Sequence, residues 1–230
     1  MSAPTPLAGR RIVVSAGPTY EDIDPVRFIG NRSSGRMGFA VAAAAARAGA
    51  EVALVAGPVQ LPTPDGVERT DVRSAAQMHA AVLAALPADA YLGAAAVADF
   101  TPEAVAEHKI KKRPGDDAMV LRLVRTADIL ADVAAHPRRP ALVVGFAAET
   151  RDLDANARDK LAGKGADLVA ANLVGIAGSG FEADDNTLRV HDAAGSVQFG
   201  PAPKEDVAEA LVALVAARLA ATDGRAPRPA

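Results

Sequence analysis

Apolar residues in this chain cluster in two alternating ways: short unbroken runs, and longer stretches where they return every three or four positions. The unbroken runs at residues 12–14, 51–56, 90–97, 141–146 and 168–172 are bounded by Gly, Pro or Asp, as buried strands are. Residues 67–72 predict a further short strand, and residues 119–124 alternate as a strand does. The helical period occupies an alanine-rich stretch from Phe39 to a stop at Gly49, then residues 74–86, 127–135, 152–165 and 204–221. Ser74 is placed to cap the second helix, and Pro87 follows it. Residues 187–190 and 196–199, joined across a turn from Asp192 to Gly195, predict a β-hairpin. Strands that alternate with helices from Ile12 to Asn172 imply an α/β fold with a doubly wound, mostly parallel sheet. Ligands of such sheets bind at the carboxyl ends of the strands. Those ends carry Gly17, Thr19, residues 94–99, residues 145–150 and Asn172, so polar and small residues converge on one rim.

One connection breaks the rhythm. Between the first strand and its helix runs a polar segment from Ala16 to about Ser33 that carries Thr19, Glu21, Asp22, Asp24, Arg27, Asn31 and Arg32. Loops of this length and polarity are usually functional. The segment ends Asn31-Arg-Ser-Ser-Gly35-Arg-Met-Gly38 at the start of a helix. Free N–H groups and the helix dipole favour an anion there, and glycine lets a phosphate approach the backbone. The spacing is not that of a P-loop, nor is there Gly-x-Gly-x-x-Gly directly after the strand. An ordinary helix capped by Ser33 or Ser34 is the alternative.

Composition narrows the classes. With half of its 230 residues apolar the chain can bury a core, and a net charge of −3 gives no sign of a nucleic-acid binder. The absence of cysteine excludes disulfides, thiolate metal sites and a cysteine nucleophile. No run reaches membrane-spanning length and residues 1–11 have no signal-peptide core, so a cytoplasmic location is expected. Residues 1–9 are expected to be an extension, residues 10–221 one domain with a flap near 100–118 and the hairpin near 185–200, and residues 222–230 a disordered tail.

Several side chains could carry chemistry. Asp99 follows a strand end of alanines that leave a ligand room, although a turn or cap aspartate looks the same. Lys109, Lys111 and Lys112 could neutralise a polyphosphate, or form a solvated basic loop. Phe146 at a strand end could stack on a nucleobase or pack in the core. Lys160 and Lys164 share a helical face and could reach a phosphate, as could any surface lysine pair. His79, His108, His136 and His191 lack metal-ligand spacing, and Asp184-Asp185-Asn186 reads as a turn.

Taken together these residues carry a resemblance. Gly17-Pro-Thr-x-Glu21, Asp24-Pro-Val-Arg27-Phe-Ile-x-Asn31-x-Ser33-Ser-Gly35-Arg-Met-Gly38, Ala94-Ala-Ala-Val-Ala-Asp99, Lys109-Ile-Lys-Lys112, Gly145-Phe-Ala-Ala-Glu-Thr150, Lys160-x-x-x-Lys164 and Asp184-Asp-Asn186 occur in the order found in phosphopantothenate–cysteine ligases of coenzyme A biosynthesis. The resemblance runs over about residues 10–220. It implies a Rossmann-like fold unrelated to the ATP-grasp ligases. It also implies a reaction in which CTP activates 4'-phosphopantothenate as an acyl-cytidylate with loss of pyrophosphate, after which the cysteine amine displaces CMP. Mg2+ is implied, held mainly by the nucleotide phosphates with Asp99 as a candidate ligand. No flavin is expected in this chain.

By motif position, the resemblance makes Asn31 and Lys109 the catalytic pair. It gives substrate binding to Arg27, Asn31, Ala95, Ala96 and Asp99, with Arg27 reaching the substrate phosphate from a neighbouring subunit. Nucleotide binding falls to Gly17, Ser33, Gly35, Gly38, Asp99, Lys109, Ala127, Asp128, Ile129, Leu130, Phe146, Lys160, Lys164 and Asn172. A homodimer is implied, with the hairpin near residues 187–199 as the candidate contact. Arg36 stands where lysine is common, and Asn172-Leu173-Val174 replaces Asn-Asp-Val. Many members are fused to a flavin-dependent decarboxylase; a chain of this length without cysteine is expected to lack that activity and to have such a decarboxylase as a separate or fused partner. An NAD(P)-dependent reductase fits poorly, because neither Tyr20 nor Tyr91 has lysine four residues on. A non-catalytic nucleotide-binding paralogue is the remaining alternative.

Overall fold

The structure, a computed structural model, describes residues 5–112, 117–173 and 184–223. Strand β1 (Arg11–Ala16) opens the main sheet, and the polar segment after it folds into a small hairpin, β2 (Tyr20–Asp22) with β3 (Phe28–Gly30), ahead of α1 (Arg36–Arg47). Then come β4 (Glu51–Ala56), β5 (Val67–Asp71), α2 (Ala75–Ala84) and β6 (Ala90–Gly93). A second small sheet pairs β7 (Phe100–Pro102) with β8 (Leu123–Arg125). The alternation resumes with α3 (Ile129–Ala134), β9 (Leu142–Glu149), α4 (Leu153–Lys164) and β10 (Leu168–Leu173). Strands β11 (Asp185–His191) and β12 (Ser196–Pro203) form the expected hairpin, and α5 (Lys204–Asp223) closes the chain.

The main sheet has eight strands in the order β12-β11-β10-β9-β6-β1-β4-β5. From β10 to β5 every pairing is parallel, while β11 and β12 run antiparallel. The parallel strands follow the doubly wound dinucleotide-binding order, which reverses between β1 and β6. Side chains alternate across the sheet. Ile12, Val14 and Ala16 of β1 therefore join the core under α1 and α5, while Val13 joins the core under α2 and α3. Burial on both faces explains why these strands read as unbroken apolar runs. On α5, Val207, Leu211, Val215 and Leu219 repeat every four residues and are buried, the stripe that the sequence pattern predicts.

The structure departs from the sequence reading at several places. The strand predicted over 90–97 leaves the ladder after Gly93. Beyond it, Ala94 N–H donates to the Ser15 carbonyl and Ala96 N–H to the Gly17 carbonyl, so the segment follows the loop after β1 instead of β9. Of the strand predicted over 119–124 only Leu123 and Val124 pair, and their partner is β7, not the main sheet. Helix α1 is capped by neither serine: Gly35 occupies the N-cap at φ 74°, and Ser33 Oγ accepts from its N–H at 3.3 Å. Leu7, placed in the expected extension, is 1% exposed and sits in the main core. Thr222 and Asp223, placed in the expected tail, continue α5; residues 224–230 lie outside the described residues. The Ser74 cap is observed as a full capping box with Gln77. No helix among the described residues is long and apolar enough to cross a membrane.

Candidate functional site

The carboxyl ends of β1 and β6 are bridged by a strap, residues 94–99. Thr19 N–H donates to the Ala96 carbonyl at 3.3 Å, Ala98 N–H to Thr19 Oγ1 at 3.0 Å, and Asn31 Nδ2 to the Val97 carbonyl at 2.9 Å. The strap lies at the point where strand order reverses, where doubly wound sheets bind ligands. It has a different neighbour on each side.

On one side is a pocket of about 460 Å³ above β6 and β9, closed by α3 and α4. Ser15, Tyr91 and Gly93 form part of its lining, and Asp99, Arg125, Asp128, Lys160 and Lys164 supply charge. The Tyr91 hydroxyl is 2.9 Å from Ser15 Oγ, and burial pushes the phenol up to about 12 against the opposing effect of that bond. Asp128 caps α3 by accepting from Ala131 N–H at 3.0 Å and pairs with Lys164. Burial works to raise the Asp128 carboxyl, but Lys164 and the Ala131 N–H together hold it below its ordinary value. Lys160 Nζ donates to the Phe146 carbonyl at 2.6 Å. Burial, followed by the neighbouring Lys164 charge, lowers the Lys160 pKa. An ammonium held by one carbonyl in a low-dielectric wall has donors left for an anion.

On the other side lies the start of α1. The N-cap Gly35 offers no side-chain bond to the first-turn N–H groups, which leaves them toward the rim. A Cβ on Gly35 would stand 3.0 Å from Val59 Cγ1, and one on Gly38 would stand 2.5 Å from the Ala16 Cβ. Glycine is therefore required at 38 for α1 to seat on β1, and the positive φ of 74° favours it at 35. Gly17, at φ 78°, packs against Gly57 by the same close approach. Arg36 at the helix start forms an ion pair with Asp184 at 2.8 Å.

The acidic residues of the polar segment serve the scaffold. Glu21 is buried and accepts from Ala75 N–H at 2.8 Å, at the start of α2. Asp22 pairs with Arg73, whose guanidinium lies over the stacked rings of Tyr20 and Phe28. Asp24 is 1% exposed and accepts from Val26 N–H, Arg27 N–H, the Arg27 side chain and Ile110 N–H. Burial works to raise its carboxyl, but these bonds prevail and hold it at about 2.

Of the residues expected to form the site, Ala95, Asp99, Ala127, Asp128, Ile129, Leu130, Phe146, Lys160 and Lys164 meet around the pocket. Gly17, Ser33, Gly35, Gly38, Asn31 and Ala96 gather at the α1 start and the strap, outside it. Phe146 contributes its carbonyl to the rim while its ring packs against the core under α1 and α5. Asn172 is the penultimate residue of β10, opposite Ala148 of β9. Lys109, Lys111 and Lys112 are exposed and have no ion-pair partner among the described residues. The sequence reading did not single out Ser15, Tyr91, Gly93, Arg125 or Thr126, which also line the pocket. Thr126 Oγ1 donates to the Ala98 carbonyl at 2.7 Å and its N–H to the Asp99 carbonyl at 3.0 Å, fixing the strap from below. A hydroxyl inside the apolar run of β1, at Ser15, was the one available signal. Among the described residues no three His, Asp or Glu side chains cluster as metal ligands. Mg2+ often needs only one or two carboxylates plus phosphate oxygens, so exposed Asp99 fits an ion delivered on a nucleotide.

Comparison with known proteins agrees on one family. Residues 7–219 match the family described as DNA/pantothenate metabolism flavoprotein C-terminal domain. The chain is 47% identical over 214 residues to the coenzyme A biosynthesis bifunctional protein CoaBC of Vibrio cholerae, covering 93% of this chain and 54% of that protein. It is 49% identical over 187 residues to the protein of the same name in Bacillus subtilis, covering 80% of this chain and 45% of the relative. The chain thus spans about half the length of these curated relatives. The crystal structure of the C-terminal domain of a CoaBC protein superposes with a TM-score of 0.79 at 36% identity, covering 94% of this chain and 99% of that one. A Cab2 mutant solved in complex with phosphopantothenate-cysteine shares the fold, with a TM-score of 0.78 at 16% identity and coverage of 94% and 89%.

Proposed function

The chain belongs to the DNA/pantothenate metabolism flavoprotein C-terminal domain family, and from that premise we propose that it is a phosphopantothenate–cysteine ligase using CTP. The observation that carries the reading is the two-sided rim. A half-enclosed pocket with Lys160 and Lys164 adjoins a helix start whose N-cap is Gly35, with no side chain to bond the first turn, and Asn31 is tied to the strap between them.

In this reading the cytidine occupies the pocket and its phosphates run over the strap toward Ser33, Gly35 and the first N–H groups of α1. A carboxylate oxygen of 4'-phosphopantothenate attacks the α-phosphorus, the bond to the β-phosphate oxygen breaks, and pyrophosphate leaves. The amine of cysteine then attacks the acyl carbon and CMP leaves with the bonding electron pair. Charge that grows on the departing phosphates is met by Lys109 and by the helix start. Asn31, with Nδ2 held by the Val97 carbonyl, presents its remaining amide atoms to the substrate carbonyl. Mg2+ would travel with the phosphates and supply Lewis-acid stabilisation, with Asp99 beside it.

We also propose a homodimer. The 185–200 hairpin extends the main sheet, and Val197 there is 43% exposed. Exposed apolar side chains gather instead on the small sheets: Val26, Phe28, Phe100, Leu123 and Val124. That surface is the stronger candidate contact, because burial of such a cluster favours association. A decarboxylase, fused or separate, is the proposed functional partner, in keeping with the bifunctional relatives.

Purified protein given 4'-phosphopantothenate, Mg2+ and either CTP or ATP, with and without cysteine, tests the assignment. Pyrophosphate release that requires phosphopantothenate, is strongest with CTP and turns over with cysteine is expected. No release with either nucleotide from folded protein would overturn it.

A further inference from the structure

The basic segment around Lys109 belongs to no regular element, yet its backbone is gripped at a defined place. Ile110 N–H donates to Asp24 Oδ2 at 3.1 Å, and the Ile110 carbonyl accepts from Arg27 Nη2 at 2.6 Å. Arg27 Nη2 also donates to Asp24 Oδ2 at 2.7 Å, which closes a ring through one carboxylate and one guanidinium. Four residues earlier, Ala106 N–H donates to the Ile23 carbonyl at 2.9 Å. Asp24 lies 86 residues from Ile110 in sequence, so this grip is tertiary.

We propose that Asp24 and Arg27 form a clasp on both peptide groups of Ile110 that sets the reach of Lys109, making Asp24 a positioning residue for a lysine that acts on the nucleotide phosphates. The proposal rests on the ligase reading for its chemistry, but not for its geometry. Both hydrogen-bonding groups of Ile110 are engaged, so the peptides on either side cannot rotate without breaking a charge-assisted bond. Lysine has a long side chain with several freely rotating bonds, and an unanchored backbone would spread its ammonium over many positions. Fixing the backbone removes its share of that spread and leaves only the side-chain rotamers. The turn around Asp24 is suited to the task because the carboxylate is already held by Val26 N–H and Arg27 N–H at 2.8 and 2.9 Å, before the flap is reached. Arg27 spends Nη2 and Nε on the clasp, and its Nη1 remains for an anionic substrate.

Two variants break the clasp from opposite ends. Asp24→Asn removes the charge on the hairpin side, and Ile110→Pro removes the donor on the flap side while leaving the hairpin turn intact. Amide hydrogen exchange on the free protein is read first. Both variants should raise exchange across residues 106–112 at least about tenfold, while α1 and β6 stay protected. Unchanged exchange in Ile110→Pro on its flanking amides, and in Asp24→Asn at Ile110, would overturn the clasp, whether or not the protein ligates. Steady-state pyrophosphate release is read second, with Lys109→Ala as the reference. If Asp24 acts through Lys109, kcat falls by about tenfold or more in Asp24→Asn, and the double variant is no slower than Lys109→Ala alone. Multiplying losses would overturn the action through Lys109. Asp24→Asn that fails to fold leaves Ile110→Pro to decide, by the same exchange and the same non-additivity. Absence of any release from the unsubstituted protein would overturn the ligase reading alone, with the exchange result still deciding the clasp.

Discussion

The pocket and the loop beyond its rim hold similar charges in opposite conditions. In the pocket, Lys160 is bonded to the Phe146 carbonyl and Lys164 to Asp128, on walls made of α3, α4, β6 and β9. Beyond the rim, beside the β2–β3 hairpin, Lys109, Lys111 and Lys112 extend from irregular backbone and have no ion-pair partner among the described residues. The first arrangement suits recognition, because cations held by internal partners cost little to order when a ligand arrives. Under the proposed ligase reaction the second would suit chemistry, because a cation with no internal competitor can follow charge as it moves onto a leaving group. Site residues therefore divide by what holds them and not only by where they lie in the chain.

The sharpest way to break this division is Asn31→Ala, which removes a rim group tied, among the described residues, to the strap alone. Its kcat for ligation should fall by about a hundredfold, the usual loss for one preorganised polar group at a reacting centre, with little change in CTP affinity. Parallel pyrophosphate-release and calorimetric titrations separate the two effects, and unchanged ligation would remove Asn31 from the reaction. Lys160→Ala should do the reverse. A charge-assisted bond of about 1.5–3 kcal/mol corresponds to CTP binding weaker by about ten- to a hundredfold, with kcat at saturation less affected.

Acidity sharpens the same contrast. Burial lowers the Lys160 pKa from 10.5, so the free protein loses this charge at lower pH than an ordinary lysine would. Affinity for CTP should then weaken as pH rises toward 10.5, and Lys160→Arg, which stays charged, should retain it over that range. Binding isotherms across pH decide the matter; parallel curves for the two proteins would count against Lys160 as a phosphate or ribose donor.

Smaller effects concern the frame under each region. Gly38→Ala puts a methyl group 2.5 Å from the Ala16 Cβ under the rim. Overpacking of this kind costs about 1–3 kcal/mol, and thermal unfolding should show it together with a loss of ligation as α1 shifts. Tyr91→Phe deletes the bond to Ser15 at the pocket floor. A loss of about 1 kcal/mol is expected in denaturant unfolding, with the pocket shape and CTP binding retained.

Local patterning determined much of this protein. Most of the apolar runs, their helical intervals, the Ser74 cap and the β11–β12 hairpin appear where period and turn chemistry place them, because each is decided by neighbours in sequence. The motif residues were legible one by one, and the strand-end rule placed them on a common rim. Tertiary structure alone decided how they divide. Nothing local says that residues 94–97 follow the loop after β1, that Phe146 packs against the core under α1 and α5 while its carbonyl holds Lys160, or that the Asp24 carboxylate receives a donor 86 residues away. Nor does sequence show Ser15, Tyr91 and Arg125 meeting in one pocket. Those outcomes come from long-range pairing and from which face of a strand is already filled. They depend on the assembled sheet, while periodicity and caps depend on residues a few positions apart.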